Sequence, residues 1–137
     1  MTTVILDSEP IAALLDVRSP KHREVLSYIE ADRGRRRRRP RGATFMVPST
    51  VRVEAGWDRR MPAAAVANRL PIDDHHLDDR TANVAAELRR AHRVAPADAH
   101  IGSIIGTTPG EDVVVLTSDP ADVAGVAAGS PVRIIRV

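Results

Sequence analysis

Four carboxylates in this sequence stand where oily segments end or turn. Asp7 follows the apolar run VIL at 4–6, and Asp119 follows VVVLTS at 113–118. Asp98 opens PADAHIGSII at 96–105, whose Ile101, Ile104 and Ile105 mark a deeply packed helix. Glu54 lies in VRVEAGW between Val53 and Ala55, one turn beyond Val51, and so not on a plainly polar face. Carboxylates gathered beside buried segments repel one another unless a positive charge sits among them. Oxygen-only ligation of this kind suits magnesium or manganese. Each acid also has an ordinary reading. Asp119, followed by Pro120 and Asp122, is a good helix N-cap, Glu54 suits an exposed helix face, and Asp98 suits a helix N-terminus. It is their conjunction that points to cation chemistry.

The elements that must position these acids follow from periodicity. Residues 3–6 read as a short buried strand that turns at Asp7 and Ser8 into a helix beginning near Pro10. KHREVLSYIEADR places Val25, Leu26 and Ile29 at helical spacing. ATFMVP is a second strand stopped by Pro48. A helix capped by Ser49 or Thr50 follows it, and then an alanine-rich helix over 61–70. A third strand is expected around Ile72, an amphipathic helix over DDRTANVAAELRRAHR, and another helix from Pro96 to Gly106. Residues 113–117 form the fourth strand, a short helix follows Asp119, and VRIIRV is the fifth strand. Strands alternating with helices predict a three-layer α/β/α domain around a central, mostly parallel sheet of about five strands. Ligands of such sheets bind beyond the carboxyl ends of the strands. Asp7 and Asp119 both fall there.

Composition bounds the rest. The 137 residues suit a single domain spanning 1–137, with a core drawn from Val, Ile, Leu and Ala because Trp57, Tyr28 and Phe45 are the whole aromatic set. That scarcity argues against modules that stack bases on aromatic platforms. With no cysteine, disulfides and thiolate metal sites are excluded. No run reaches the length of a membrane span and no signal-peptide layout opens the chain, so a cytoplasmic protein is expected. The formal charge is +2, but RGRRRRRPR at 33–41 contributes seven arginines, and +2 less these seven leaves −5 on the remainder. Arg35, Arg36, Arg37, Arg38 and Arg39 could contact RNA phosphate, or form a solvated arginine-rich loop.

The succession VILDS, VPSTVRVEAGW, APADAHIGSI and VVVLTSDPADV resembles the PIN-domain family, and within it the VapC-type toxins of bacterial toxin–antitoxin pairs. The resemblance spans essentially the whole chain, and is most specific at the strand ending in Asp7 and at TSDPAD. It implies a PIN-like fold and a magnesium- or manganese-dependent endoribonuclease restrained by a cognate antitoxin. Asp7, Glu54, Asp98 and Asp119 match the family's four acids, as catalytic residues and metal ligands. Thr117 fits its hydroxyl position, and Asp122 stands as an auxiliary metal ligand. Some relatives carry an aspartate where this chain has Ala95. The implied chemistry suits the residue types, since a bound divalent ion activates water and neutralises charge on phosphoryl oxygens. The family also implies an RNA substrate and a homodimer, for which the small residues of MPAAAVANRL offer a close-packing surface.

Other signals are weaker. DDHHLDD at 73–79 invites a metal site, but a solvated connection and helix capping explain it more simply. His100 is expected on a different helix face from Asp98, packing or meeting solvent, and Trp57 as a packing or interface residue. A phospho-receiver domain would need a lysine after a late strand, whereas Lys21 is the only lysine. A catalytically silent PIN-like module that binds RNA or protein is the second rival.

Overall fold

The computed structural model of the chain describes residues 1–36, 42–108 and 111–137. Five strands form one sheet: β1 (Thr2–Leu6), β2 (Thr44–Pro48), β3 (Ile72–His75), β4 (Asp112–Thr117) and β5 (Arg133–Arg136), in the order β3-β2-β1-β4-β5. Every pairing is parallel. β1 and β4 lie at the centre, in register from Thr2 opposite Asp112 to Leu6 opposite Leu116. Val4–Leu6 and Val113–Leu116 are all buried, as expected of strands covered on both faces.

The connecting helices are α1 (Ser8–Leu15), α2 (His22–Arg36), α3 (Ser49–Ala55), α4 (Ala65–Asn68), α5 (Asp79–His92), α6 (Pro96–Thr107) and α7 (Pro120–Ala127). The architecture is the three-layer α/β/α arrangement read from the sequence, with a sheet wholly rather than mostly parallel. α2 extends to Arg36, so the start of the arginine-rich segment is helical rather than loop. Arg37, Arg38 and Arg39 lie outside the described residues, as do the side chains of Arg35 and Arg36. Among the described residues, no helix is long and apolar enough to cross a membrane.

Two local expectations change. The stretch 61–70 is not one helix: a 3₁₀ turn at Pro62–Ala64 leads into the short α4. Its Ala64, Ala67 and Leu70 enter the protein's own core, so only part of that small-residue surface remains outside. Helix α3 begins without a side-chain cap, because Pro48 occupies the N-cap position. Ser49 Oγ instead accepts from the Leu77 amide at 3.4 Å, and the Thr50 hydroxyl turns toward His100. The helix ends at Gly56, whose φ of 70° permits the Trp57 amide to reach back to the Arg52 carbonyl at 2.9 Å.

Helix α6 threads between α5 and α7, and Gly102 makes that possible. A Cβ there would lie 2.7 Å from Leu88 Cδ1, 2.8 Å from the Val126 carbonyl oxygen and 2.9 Å from Val126 Cβ. Leu88 can rotate away; the Val126 backbone cannot. Gly102→Ala should therefore destabilise the fold by about 1–3 kcal/mol despite alanine's better helix propensity. Urea unfolding checks this, and an unchanged midpoint would contradict the close packing.

Candidate active site

Asp7 is the best-held acid of the sheet edge. Its amide extends the central ladder by donating to the Leu116 carbonyl at 3.0 Å, and the chain then turns into α1. Its Oδ1 accepts the Ser8 amide at 2.7 Å, and its Oδ2 accepts the Thr117 hydroxyl at 2.7 Å. Thr117 is fully buried, and its oxygen also accepts the Asp119 amide at 3.0 Å. One hydroxyl thus orients the first acid while ordering the turn into α7. Burial raises the Asp7 pKa; the bonds from Thr117 and Ser8 oppose that, and the charges of Glu54 and Asp122 add to it.

Glu54, on the exposed side of α3, meets this centre through Ser8, whose hydroxyl donates to Glu54 Oε1 at 2.5 Å. Asp98 sits in the first turn of α6 and is half-buried. Its pKa is pushed up to about 6, first by burial and then by the negative charges of Asp7, Asp122 and Glu54; a bond from the Ala95 amide pulls the other way. Four carboxylates from β1's end, α3, α6 and α7 therefore share one electrostatic neighbourhood.

Of the acids after β4, it is Asp122 that enters this neighbourhood. Asp119 is exposed and caps α7, accepting the Asp122 amide at 3.4 Å. The fourth-acid position thus contains two carboxylates with different present duties. Ala95, at the N-cap of α6, supplies no side-chain cap, so Asp98 alone provides the acid there. The donor set is all oxygen and mutually repulsive, which fits a magnesium-like ion. Among the described residues, however, no three such side chains are closed into a ready-made metal cluster.

The sequence did not anticipate the partners of His100. The ring is buried, not solvated; one nitrogen lies 2.9 Å from the Thr50 hydroxyl and the other 3.0 Å from His75 Nδ1. This chain ties α6 to α3 and to the end of β3, so it fixes the helix of Asp98 against that of Glu54. Only the apolar company of His100 in sequence hinted at its burial. Burial, then the charge of His75, lowers its pKa to about 4. An unfolded histidine protonates near 6.5, so the folded state binds fewer protons between these values. Its stabilising contribution is full above about 6.5 and is lost as pH falls toward about 4. The urea midpoint should accordingly fall more on acidification for wild type than for His100→Gln. Equal losses would contradict a buried neutral ring.

Trp57 is a packing residue, as expected. It is buried, with the Arg59 guanidinium 4.2 Å and that of Arg52 5.6 Å from its ring centroid. Both arginines pair with Asp74, at 3.3 and 3.1 Å. Part of the DDHHLDD segment is thereby structural.

No family model matches the chain, and no curated protein does. Solved structures match it along nearly its full length. VapC20 of Mycobacterium tuberculosis, described as a Sarcin-Ricin loop cleaving toxin, superposes with a TM-score of 0.58 at 17% identity, over 93% of this chain and 96% of that one. VapBC2 from Rickettsia felis, bound to a promoter DNA fragment, gives 0.56 at 10% identity, over 98% of each chain. FitAB bound to a DNA fragment gives 0.53 at 14% identity, over 97% of this chain and 94% of that one. This likeness establishes the fold: the chain has a PIN-like α/β/α architecture.

Proposed function

We propose that the chain is a magnesium- or manganese-dependent endoribonuclease, acting in the cytoplasm as the toxin of a toxin–antitoxin pair. The single observation that carries this reading is the gathering of Asp7, Glu54, Asp98 and Asp122 beyond the carboxyl ends of parallel strands. The ion would be held by Asp7, Glu54 and Asp98, with Asp122 and Asp119 available from the start of α7. When bound, it supplies an activated water and charge neutralisation for phosphodiester hydrolysis. The chain's own part is positioning. Thr117 and the Ser8 amide hold Asp7 as an oriented carboxylate, the Ser8 hydroxyl aims Glu54, and the His100 chain sets α6 against α3. A neighbour described as a toxin, and two neighbours solved on DNA fragments, support an antitoxin as partner; a homodimer belongs to the same proposal.

The test is cleavage of single-stranded RNA on addition of magnesium or manganese, its arrest by chelation, and its loss in Asp7→Asn. The open arrangement of the acids favours a second reading, a silent PIN-like module that binds RNA or protein. That reading predicts RNA retained but uncut with every divalent ion.

A further inference from the structure

The last turn of α5 and the residue that caps it present three arginines around one shallow, open cleft. Arg89, Arg90 and Arg93, with Ala86, line a space of about 470 Å³. All three are exposed. Arg89 Nε donates to the Val94 carbonyl at 3.0 Å and closes the helix end. Among the described residues Arg90 and Arg93 have no carboxylate partner, so two guanidinium groups remain unneutralised.

Arg93 also holds a left-handed backbone, with φ 54° and ψ 42°. Glycine or asparagine is the unstrained choice at such a helix terminus. The side chain at this position nevertheless places a third guanidinium at the cleft; Ala128 ends α7 in the same left-handed conformation, so the backbone alone does not single Arg93 out.

The location gives the patch its meaning. Helices α5 and α6 run as an antiparallel hairpin, with Leu88 against Gly102. Only four residues separate Arg93 from Asp98, five steps along the chain and a reach of at most about 18 Å. The basic cleft therefore lies at the same end of α6 as the acids. An acidic centre repels a polyanion, so nearby cations that hold its phosphates favour the approach of a strand.

We infer that Arg90 and Arg93, supported by Arg89, form a phosphate-backbone subsite for single-stranded RNA beside the acidic centre. This rests on the nuclease reading for its purpose but not for its test. The helix dipole offers a purely structural role for the same arginines, and the two roles separate experimentally.

Binding of a fluorescent single-stranded RNA oligonucleotide is measured in chelator, where nothing is cut, over about 50 to 200 mM salt. The Arg90→Gln/Arg93→Gly double variant should bind several-fold more weakly at the lowest salt. Its log–log salt slope should shrink by about 1.4, from roughly 0.7 per phosphate contact in single strands. Its melting temperature should be equal or higher, because glycine relieves the left-handed backbone at residue 93. With magnesium, its cleavage should show a raised KM. Arg90→Gln alone should give about half the slope change, should the double variant not fold.

A lower melting temperature with an unchanged slope would assign the arginines to the helix end and overturn the subsite. Polyglutamate bound as tightly as RNA, and lost in the same variant, would overturn the RNA assignment in favour of an acidic protein segment. If wild type cuts RNA while the slopes coincide, the subsite falls and the nuclease stands. If wild type cuts nothing but binds RNA through these arginines, the nuclease falls and the subsite stands.

Discussion

Asp98→Asn is expected to leave the metal-free protein at least as stable as wild type while removing most RNA cleavage. The carboxyl of Asp98 is pushed to about 6 from an ordinary 3.8 by burial and by Asp7, Asp122 and Glu54. Because its folded pKa is raised, the native state binds more protons than the unfolded chain between these values. Stability therefore falls as pH rises from about 4 to about 6, and the penalty persists above that. Asp98 is only half-buried, so solvent screening leaves a penalty of about 1 kcal/mol rather than the full shift. Asparagine removes the charge and retains an oxygen for the Ala95 amide. The variant's stability advantage should grow from nearly nothing at pH 4 to its full value at pH 7, as read by urea midpoints. Magnesium should raise the melting temperature of wild type more than that of the variant, since only binding to the folded state stabilises. A simple helix-start role predicts unchanged stability and unchanged activity.

The second large effect is expected at Asp7. Asp7→Asn should lower cleavage by about 10²–10³-fold or more, on the scale of losing one preorganised electrostatic group from an active site. Stability should change little, because two contributions oppose each other. The amide oxygen of asparagine can accept from either Ser8 or Thr117 but not from both in the present geometry, which costs about 1 kcal/mol. Removing a buried negative charge offsets this. Thr117→Val provides the complementary check. It keeps the carboxylate but removes its orienting hydroxyl and an acceptor for the Asp119 amide, so activity should fall less than in Asp7→Asn, and stability more.

The order of elements was legible because each strand is a short aliphatic run bounded by turn chemistry. Asp7 was conspicuous because it directly follows a buried strand at the edge where parallel sheets bind their ligands. Asp98 was conspicuous because it opens an apolar helix. What sequence could not supply were relations across the fold. Nothing in the spacing ties His75 to His100, or Ser8 to Glu54, since β2, α3 and β3 must first bring them together. The choice between Asp119 and Asp122 was likewise invisible, because both fit a helix start and only three-dimensional placement gives one the cap and the other the charge contact. The division of 61–70 into a 3₁₀ turn and the short α4 was not legible either, since Ala64, Ala67 and Leu70 pack into the core at a spacing a single helix would also give.

Calorimetric titration of the metal-free protein with magnesium and manganese tests the central claim most directly: the gathered carboxylates form a divalent-cation site. Wild type should bind saturably. Asp98→Asn should bind at least about tenfold more weakly, a loss of about 1.4 kcal/mol. Wild type that takes up neither ion, or an Asp98→Asn protein that binds as tightly as wild type, would contradict the account.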